Sequence, residues 1–197
     1  MSQLLDNVVG ELTKLPGVGR RTALRLALHI LRWDIEEADQ FAGSIYQFRR
    51  DAKRCARCNN LSDNELCDVC CDPQRDHSTV CVVENVADLL TIEGTGNYGG
   101  MYHVLGGVIS PLSGVTPSDL GIDKLLKVIE QDSVKEVILA LPSTIEAETT
   151  QFYITRRLSG VALKVSVISR GIALGDEIEY ADALSISHAL LNRKVLE

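Results

Sequence analysis

The chain has 197 residues, 45% hydrophobic and 24% charged, with no apolar run near the 18 or so residues that span a bilayer. Its net charge of −7 excludes a uniformly basic nucleic-acid coat. The charge is uneven: residues 1–57 hold ten of the 20 Lys and Arg against seven of the 27 Asp and Glu, so that part is +3 and the other 140 residues are −10. A basic N-terminal part on an acidic body is expected to turn one face to nucleic acid and another elsewhere.

The opening MSQLLDNVVGEL lacks the basic stretch of a secretory leader, so a cytoplasmic protein is expected. Residues 2–13 place Leu4, Leu5, Val8, Val9 and Leu12 at helical spacing behind Ser2 as candidate cap. LPGVG then breaks the pattern, and RRTALRLALHILRW resumes it as a second amphipathic helix. Residues 35–53 read as a third helix with Ile35, Ala38, Phe41, Ile45 and Phe48 facing inward. Residues 54–76 are polar and rich in cysteine, with almost nothing apolar to form a core.

From Thr79 the period changes. TVCVVE, MYHVL, VKEVILAL and ALKVSVIS read as strands, separated by helices in NVADLLTIE, SDLGIDKLLKVIEQD and EAETTQFYITRRLSG. Strands alternating with helices predict an α/β fold with a mostly parallel sheet covered on both sides. DEIEYADALSISHALLNRK reads as a helical tail.

The cysteines carry the sharpest chemical signal. Cys55-x-x-Cys58 and Cys67-x-x-Cys70 are eight residues apart, with turn formers between them. Two such knuckles can deliver four thiolates to one Zn²⁺, which would supply the folding free energy the segment lacks. A disulfide pair does not suit a reducing cytosol, and a redox CxxC needs only one pair. Cys71 adjoins Cys70 and competes for the fourth place, but the two-residue spacing favours Cys70. Cys81, inside an apolar strand, reads as a small core residue.

LPGVGRRTALRL carries the second signal. Gly17 and Gly19 allow a sharp turn, and Arg20 opens a helix whose free N–H groups form a phosphate site. Lys14, Arg20, Arg21 and Arg25 crowd that corner, and Arg21 and Arg25 at i and i+4 share a helix face. Flanked by helices, this is the helix-hairpin-helix pattern of sequence-independent DNA binding, single- or double-stranded. A plain hairpin with a solvated basic face is the rival. GTGNYG (94–99) matches G-x-G-x-x-G, but here a helix precedes the glycines and a strand follows, the reverse of a dinucleotide site, so no nucleotide is expected. His29, His77, His103 and His188 are scattered without ligand spacing and read as structural or surface residues.

In this order the features resemble the RecR family of bacterial recombination mediators over essentially the whole chain. The likeness rests on the LPGVG hairpin, the four-cysteine finger, VCVVENVADLLTIEGTGNYGGMYHVLGGVISPLSG and the closing RGIALGDEIEYAD. It implies a helix-hairpin-helix region over 1–53, a four-cysteine zinc finger over 54–76, a Toprim domain over 77–173 and a C-terminal helical segment over 174–197. It also implies a non-catalytic role beside RecO and RecF in loading RecA on single-stranded gaps, and a homo-oligomer, dimer or tetrameric ring. Toprim enzymes hold Mg²⁺ with a Glu after the first strand and a D-x-D after a later one. Glu84 is present, but Pro142 and Thr144 stand in the aspartate places, and neither is a good ligand for a hard cation. A vestigial metal site is the expectation, with Glu84, Glu146 and Glu148 left as a carboxylate cluster for a basic partner. The rival is a Toprim-type nuclease or primase-like enzyme that improvises with Glu84 and Glu146. The chain departs from the family pattern at Ala147, at Ala173 and at Ser166-Val167.

Overall fold

In the computed structural model, which describes residues 2–169, 171, 172, 175 and 177–193, the chain divides into two units, 1–52 and 53–197. In the first, α1 (Gln3–Leu12) packs on α2 (Arg20–Ile30) through Val9, Ala23 and Ala27, ringed by Leu5, Leu12, Val18 and Leu24. Alanines at i and i+4 leave a shallow stripe that admits the neighbouring helix closely. Ser2 occupies the N-cap position of α1, but its side chain makes no capping bond.

The third helix, α3 (Ile35–Asp51), starts at Asp34, which accepts the Glu37 N–H at 2.7 Å. Its apolar face departs from expectation. Ile35, Phe41, Ile45 and Phe48, expected inward, are 78, 45, 56 and 61% exposed, and α3 has no buried residue. The stripe has helical period, but no element among the described residues of this unit covers it. Trp33 does meet Phe41 edge-on, with ring centroids 5.4 Å apart.

The second unit opens with a two-stranded antiparallel ribbon, β1 (Lys53–Arg54) and β2 (Leu61–Ser62), and one helical turn, α4 (Asp68–Cys71). Then come β3 (Asp76–Val83), β4 (Gly100–Val104), β5 (Glu136–Ala140) and β6 (Lys164–Val167), all parallel in the order β4-β3-β5-β6. Period-two alternation sends Val80, Val82, Val137 and Leu139 to one face and Cys81, Val83 and Ala140 to the other. Helices α6 (Ile122–Gln131) and α7 (Ile145–Arg157) cover the first face through Leu125, Ile129, Ala147 and Ile154. Helix α5 (Val86–Glu93) covers the second with Leu89. The predicted α/β sheet with helices on both faces is therefore present. A 3-10 turn at Ile178–Tyr180 and α8 (Ala183–Leu191) form the helical tail. Ala173, and with it the 173/174 boundary, lies outside the described residues.

Strand β3 begins at Asp76 rather than Thr79, because the Asp76 carboxylate accepts from Ser78 and Thr79 and holds that end extended. A register shift against β4 follows between Asp76 and Val80. The GTGNYG segment leaves α5 through Gly94 and enters β4 at Gly100, the helix-then-strand order read from the sequence.

The cysteine segment is seated on the sheet by polar contacts. The Val104 N–H donates to the Cys58 carbonyl at 2.8 Å, and the Asn59 side-chain amide donates to the Val104 carbonyl at 2.8 Å. Asn59 has φ 63°, a left-handed conformation that Asn tolerates better than most residues. Arg57 donates to Asp132 at 2.7 Å, at the end of α6. Beside this seam, fully buried His103 donates from Nε2 to the Gly121 carbonyl at 2.8 Å, while its Nδ1 has no partner. Gly121 is tightly enclosed, since a Cβ there would lie 3.0 Å from the Val104 carbonyl and 3.1 Å from His103 Nε2, so a side chain would make its neighbours give way.

Burial, with Lys124 nearby, brings His103 down from 6.5 to about 4. The unfolded chain therefore takes up a proton that the folded one refuses. Stability should be whole above about pH 6.5 and fall as pH drops, levelling off near pH 4 after a loss of about 3 kcal/mol. His103→Gln keeps a donor for Gly121 and does not titrate. Urea unfolding at pH 7 and pH 5 should show a smaller loss in that variant than in the parent; equal losses would remove His103 as the cause.

Candidate metal centre and nucleic-acid interface

Cys55, Cys58, Cys67 and Cys70 converge from the ribbon and α4, with all four sulfur atoms within 4.8 Å of one another and all four residues buried. Cys58 Sγ and Cys67 Sγ are 3.4 Å apart, and none of the four is in a disulfide. Between residues 53 and 72 the only other buried residues are Asn60 and Ser62, so the segment has no apolar core of its own. In the bare site, hydrogen bonding to Cys70 together with burial pushes the Cys58 thiol up, and burial pushes Cys67 up to about 11. Burial also acts to raise Cys55, but backbone N–H groups of Cys58, Cys67 and Arg57 outweigh it and bring that thiol to about 7. Four thiolates this close repel one another strongly unless a dication sits among them. The donor set fits one tetrahedral Zn²⁺. Cys71 is exposed and lies outside the group, while Cys81 is buried in β3, where desolvation lifts its thiol to about 12.

At the hairpin, Gly17 has φ 77° and Gly19 sits at the N-cap of α2 with no side chain capping the helix. The first N–H groups of α2 thus face outward without a side-chain acceptor. The four cations there differ. Lys14 pairs with Glu11 at 2.7 Å and Arg20 with Asp6 at 3.2 Å. Arg21 and Arg25 are exposed and have no ion-pair partner among the described residues. They line a groove of about 330 Å³ with Leu24, Leu28, His29 and Arg32. His29 and Arg32 continue the helical spacing of Arg21 and Arg25.

The three glutamates do not form one cluster. Glu84, just past β3, and Glu146, in the first turn of α7, line one cleft of about 460 Å³ with Gly106, Ser110, Pro142 and Thr144. Glu148 opens onto a different cleft beside Gln151, Ile168 and His188. Residues at i and i+2 on a helix point apart, so Glu146 and Glu148 cannot share a ligand. Thr144 is committed elsewhere, since its hydroxyl accepts the Ala147 N–H at 3.2 Å and caps α7. Ala147 is fully buried beneath that turn. Burial, and then Asp88, raise the pKa of Glu84. The glycine-rich wall of the cleft is pinned by Thr150, whose hydroxyl accepts the Ile109 N–H at 2.8 Å.

These features fall into known families in the same order. Residues 5–48 match the RecR helix-hairpin-helix, 52–72 the RecR four-cysteine zinc finger domain, 78–169 the Toprim domain and 171–194 the RecR C-terminal region. Over 192 residues the chain is 52% identical to the recombination protein RecR of Parabacteroides distasonis, covering 98% of this chain and 92% of that one. The RecR of Bacteroides thetaiotaomicron is 53% identical, with 98% and 94% covered. The chain belongs to the RecR family. The RecR of Flavobacterium johnsoniae is more distant, 44% identical over 196 residues, with 100% and 95% covered. For a RecR chain the cysteine cluster is thus a four-cysteine zinc finger, its thiols positioned to bind one metal ion. No helix among the described residues is long and apolar enough to cross a membrane.

Replacing Cys55, Cys58, Cys67 or Cys70 by Ser should release the zinc and lower the thermal midpoint, because binding and folding of such a segment are one event. Cys71→Ser should keep one Zn²⁺ per chain. Metal analysis of the purified variants decides it; zinc kept by Cys70→Ser and lost by Cys71→Ser would reassign the fourth ligand.

Proposed function

We propose that this chain is a DNA-binding recombination mediator of cytoplasmic DNA repair that performs no chemistry on DNA itself. In this reading the hairpin grips phosphates through the α2 N–H groups and through Lys14, Arg20, Arg21 and Arg25. The observation that carries it is the uncapped start of α2 flanked by the unpaired Arg21 and Arg25. Such contacts position a duplex or a single strand alike and read no sequence. The acidic cleft of Glu84 and Glu146 takes a basic surface of RecO or RecF, with Glu148 at its own rim, and the complex loads RecA on gaps. The exposed apolar face of α3 supports self-association into a dimer or ring.

A phosphoryl-transfer enzyme is disfavoured by the same cleft. Metal-dependent transfer wants two or more carboxylates around a divalent cation. Here Pro142 has no donor side chain, Thr144 caps a helix and Glu148 faces away. No cleavage, joining or priming of DNA is expected with Mg²⁺ or Mn²⁺. Metal-dependent turnover lost in Glu84→Ala would overturn the mediator reading.

The direct test is binding to single-stranded and duplex DNA across a salt series. Replacing Arg21 and Arg25 together by Ala should weaken binding to all sequences alike. The slope of log K against log salt should flatten by about 1.4 on single strands and about 1.8 on duplex. An unchanged slope in the folded double variant would take the hairpin out of the DNA site. Glu84→Gln should leave that slope intact and weaken capture of RecO or RecF.

A further inference from the structure

Helix α2 carries more basic side chains than the hairpin grip employs. Arg21, Arg25, His29 and Arg32 recur at intervals of four, four and three residues. At 1.5 Å of rise per residue they stay on one face and set a basic group every 6 Å or so over roughly 16 Å. All four are exposed and line the same groove, with Leu24 and Leu28 forming its apolar floor. The helical path continues beyond Ile30, since Leu31 N–H reaches the Ala27 carbonyl and Arg32 N–H the His29 carbonyl, each at 3.0 Å. That continuation keeps Arg32 in line with the others. The Trp33 ring meets the His29 imidazole edge-on, with centroids 5.7 Å apart, and so restricts its rotation. None of the four has an ion-pair partner among the described residues, unlike Lys14 and Arg20 nearer the turn.

We propose that this face of α2 is a phosphate track, along which the sugar–phosphate backbone of one nucleic-acid strand runs from the hairpin as far as Arg32. The inference rests on the DNA-binding reading above and extends it beyond the hairpin to His29 and Arg32. A single anion would engage two neighbouring cations, whereas three arginines in file, with an imidazole between the second and third, complement a ligand whose charge also repeats. The file is continuous at one end with the uncapped helix start, which supplies N–H donors to the same ligand. Arg32 anchors the far end by charge, and His29 donates a ring N–H between the arginines.

The experiment uses the full zinc-loaded chain, oligodeoxynucleotides of several sequences in both strand forms, and a salt series. Arg32→Gln keeps a long side chain and good helix propensity while removing one charge. It should flatten the log K against log salt slope by about 0.7 on single strands and about 0.9 on duplex, equally for all sequences. Arg49→Gln, which removes the same charge from α3, should leave the slope unchanged. If the Arg21 and Arg25 double variant flattens the slope and Arg32→Gln does not, DNA stops at the hairpin and the track is wrong. If neither flattens it, the DNA reading itself has failed. An equal drop in Arg49→Gln would reduce the effect to net charge. Loss of capture of an acidic protein by Arg32→Gln, with the DNA slope intact, would give the face to a protein instead.

Discussion

The backbone of Val104 belongs to two structures at once. It ends β4, the edge strand of the sheet, and its outward N–H and C=O are taken by Cys58 and Asn59 of the finger. Open strand edges invite pairing with other chains. Further along this edge Arg75 donates to the Gly100 carbonyl at 3.0 Å. The finger half of the seam has no apolar core and depends on its metal. Zinc binding by such peptides is worth on the order of 10 kcal/mol, against about 1 kcal/mol for one hydrogen bond. Folding of the finger is therefore coupled to the sheet edge through Cys58 and Asn59, while β4 meets the start of α6 through the Gly121 N–H on the Leu105 carbonyl and His103 on the Gly121 carbonyl.

Much of this was legible in the residues. The apolar runs VCVV and VILA, alternating with helical segments, predicted a parallel sheet covered on both sides, because strands buried on both faces read as continuous apolar runs. The cysteine spacing identified the metal ligands because two short knuckles have few other uses. The separation of Glu146 from Glu148 was legible too, since EAETTQFYITRRLSG reads as a helix and residues two apart on a helix point apart; the expected carboxylate cluster overlooked it. Two readings were out of reach, each for a physical reason. The helical stripe of α3 shows that one face is apolar but not whether this chain covers it. The buried His103 and left-handed Asn59 depend on contacts across 18 and 45 residues of chain, which no local pattern encodes.

The two charged regions work by different physics. Around α2 the cations are exposed and the donors are backbone groups, so phosphate binding as proposed there would follow counterion release and respond steeply to salt. In the acidic cleft the carboxylates are half-buried, and Glu84 already resists ionisation. Desolvating it further against an apolar partner would be unfavourable, whereas a lysine or arginine would relieve it. In the proposed function the cleft would select by the sign of what enters it, and the basic face would select little beyond a phosphate chain.

Thr144 has one further consequence. The likeness to Toprim enzymes implies a metal-binding aspartate at its place, and here it caps α7. Aspartate is at least as good a helix cap as threonine, accepting the same N–H and favouring the positive end of the helix dipole. Fold stability alone therefore cannot be what keeps a carboxylate out of position 144. Pro142, two residues past β5, brings a fixed φ and no N–H, but a φ near −65° is open to other residues as well. At the two places where the likeness to Toprim enzymes implies metal ligands, the backbone alone therefore does not bar a carboxylate.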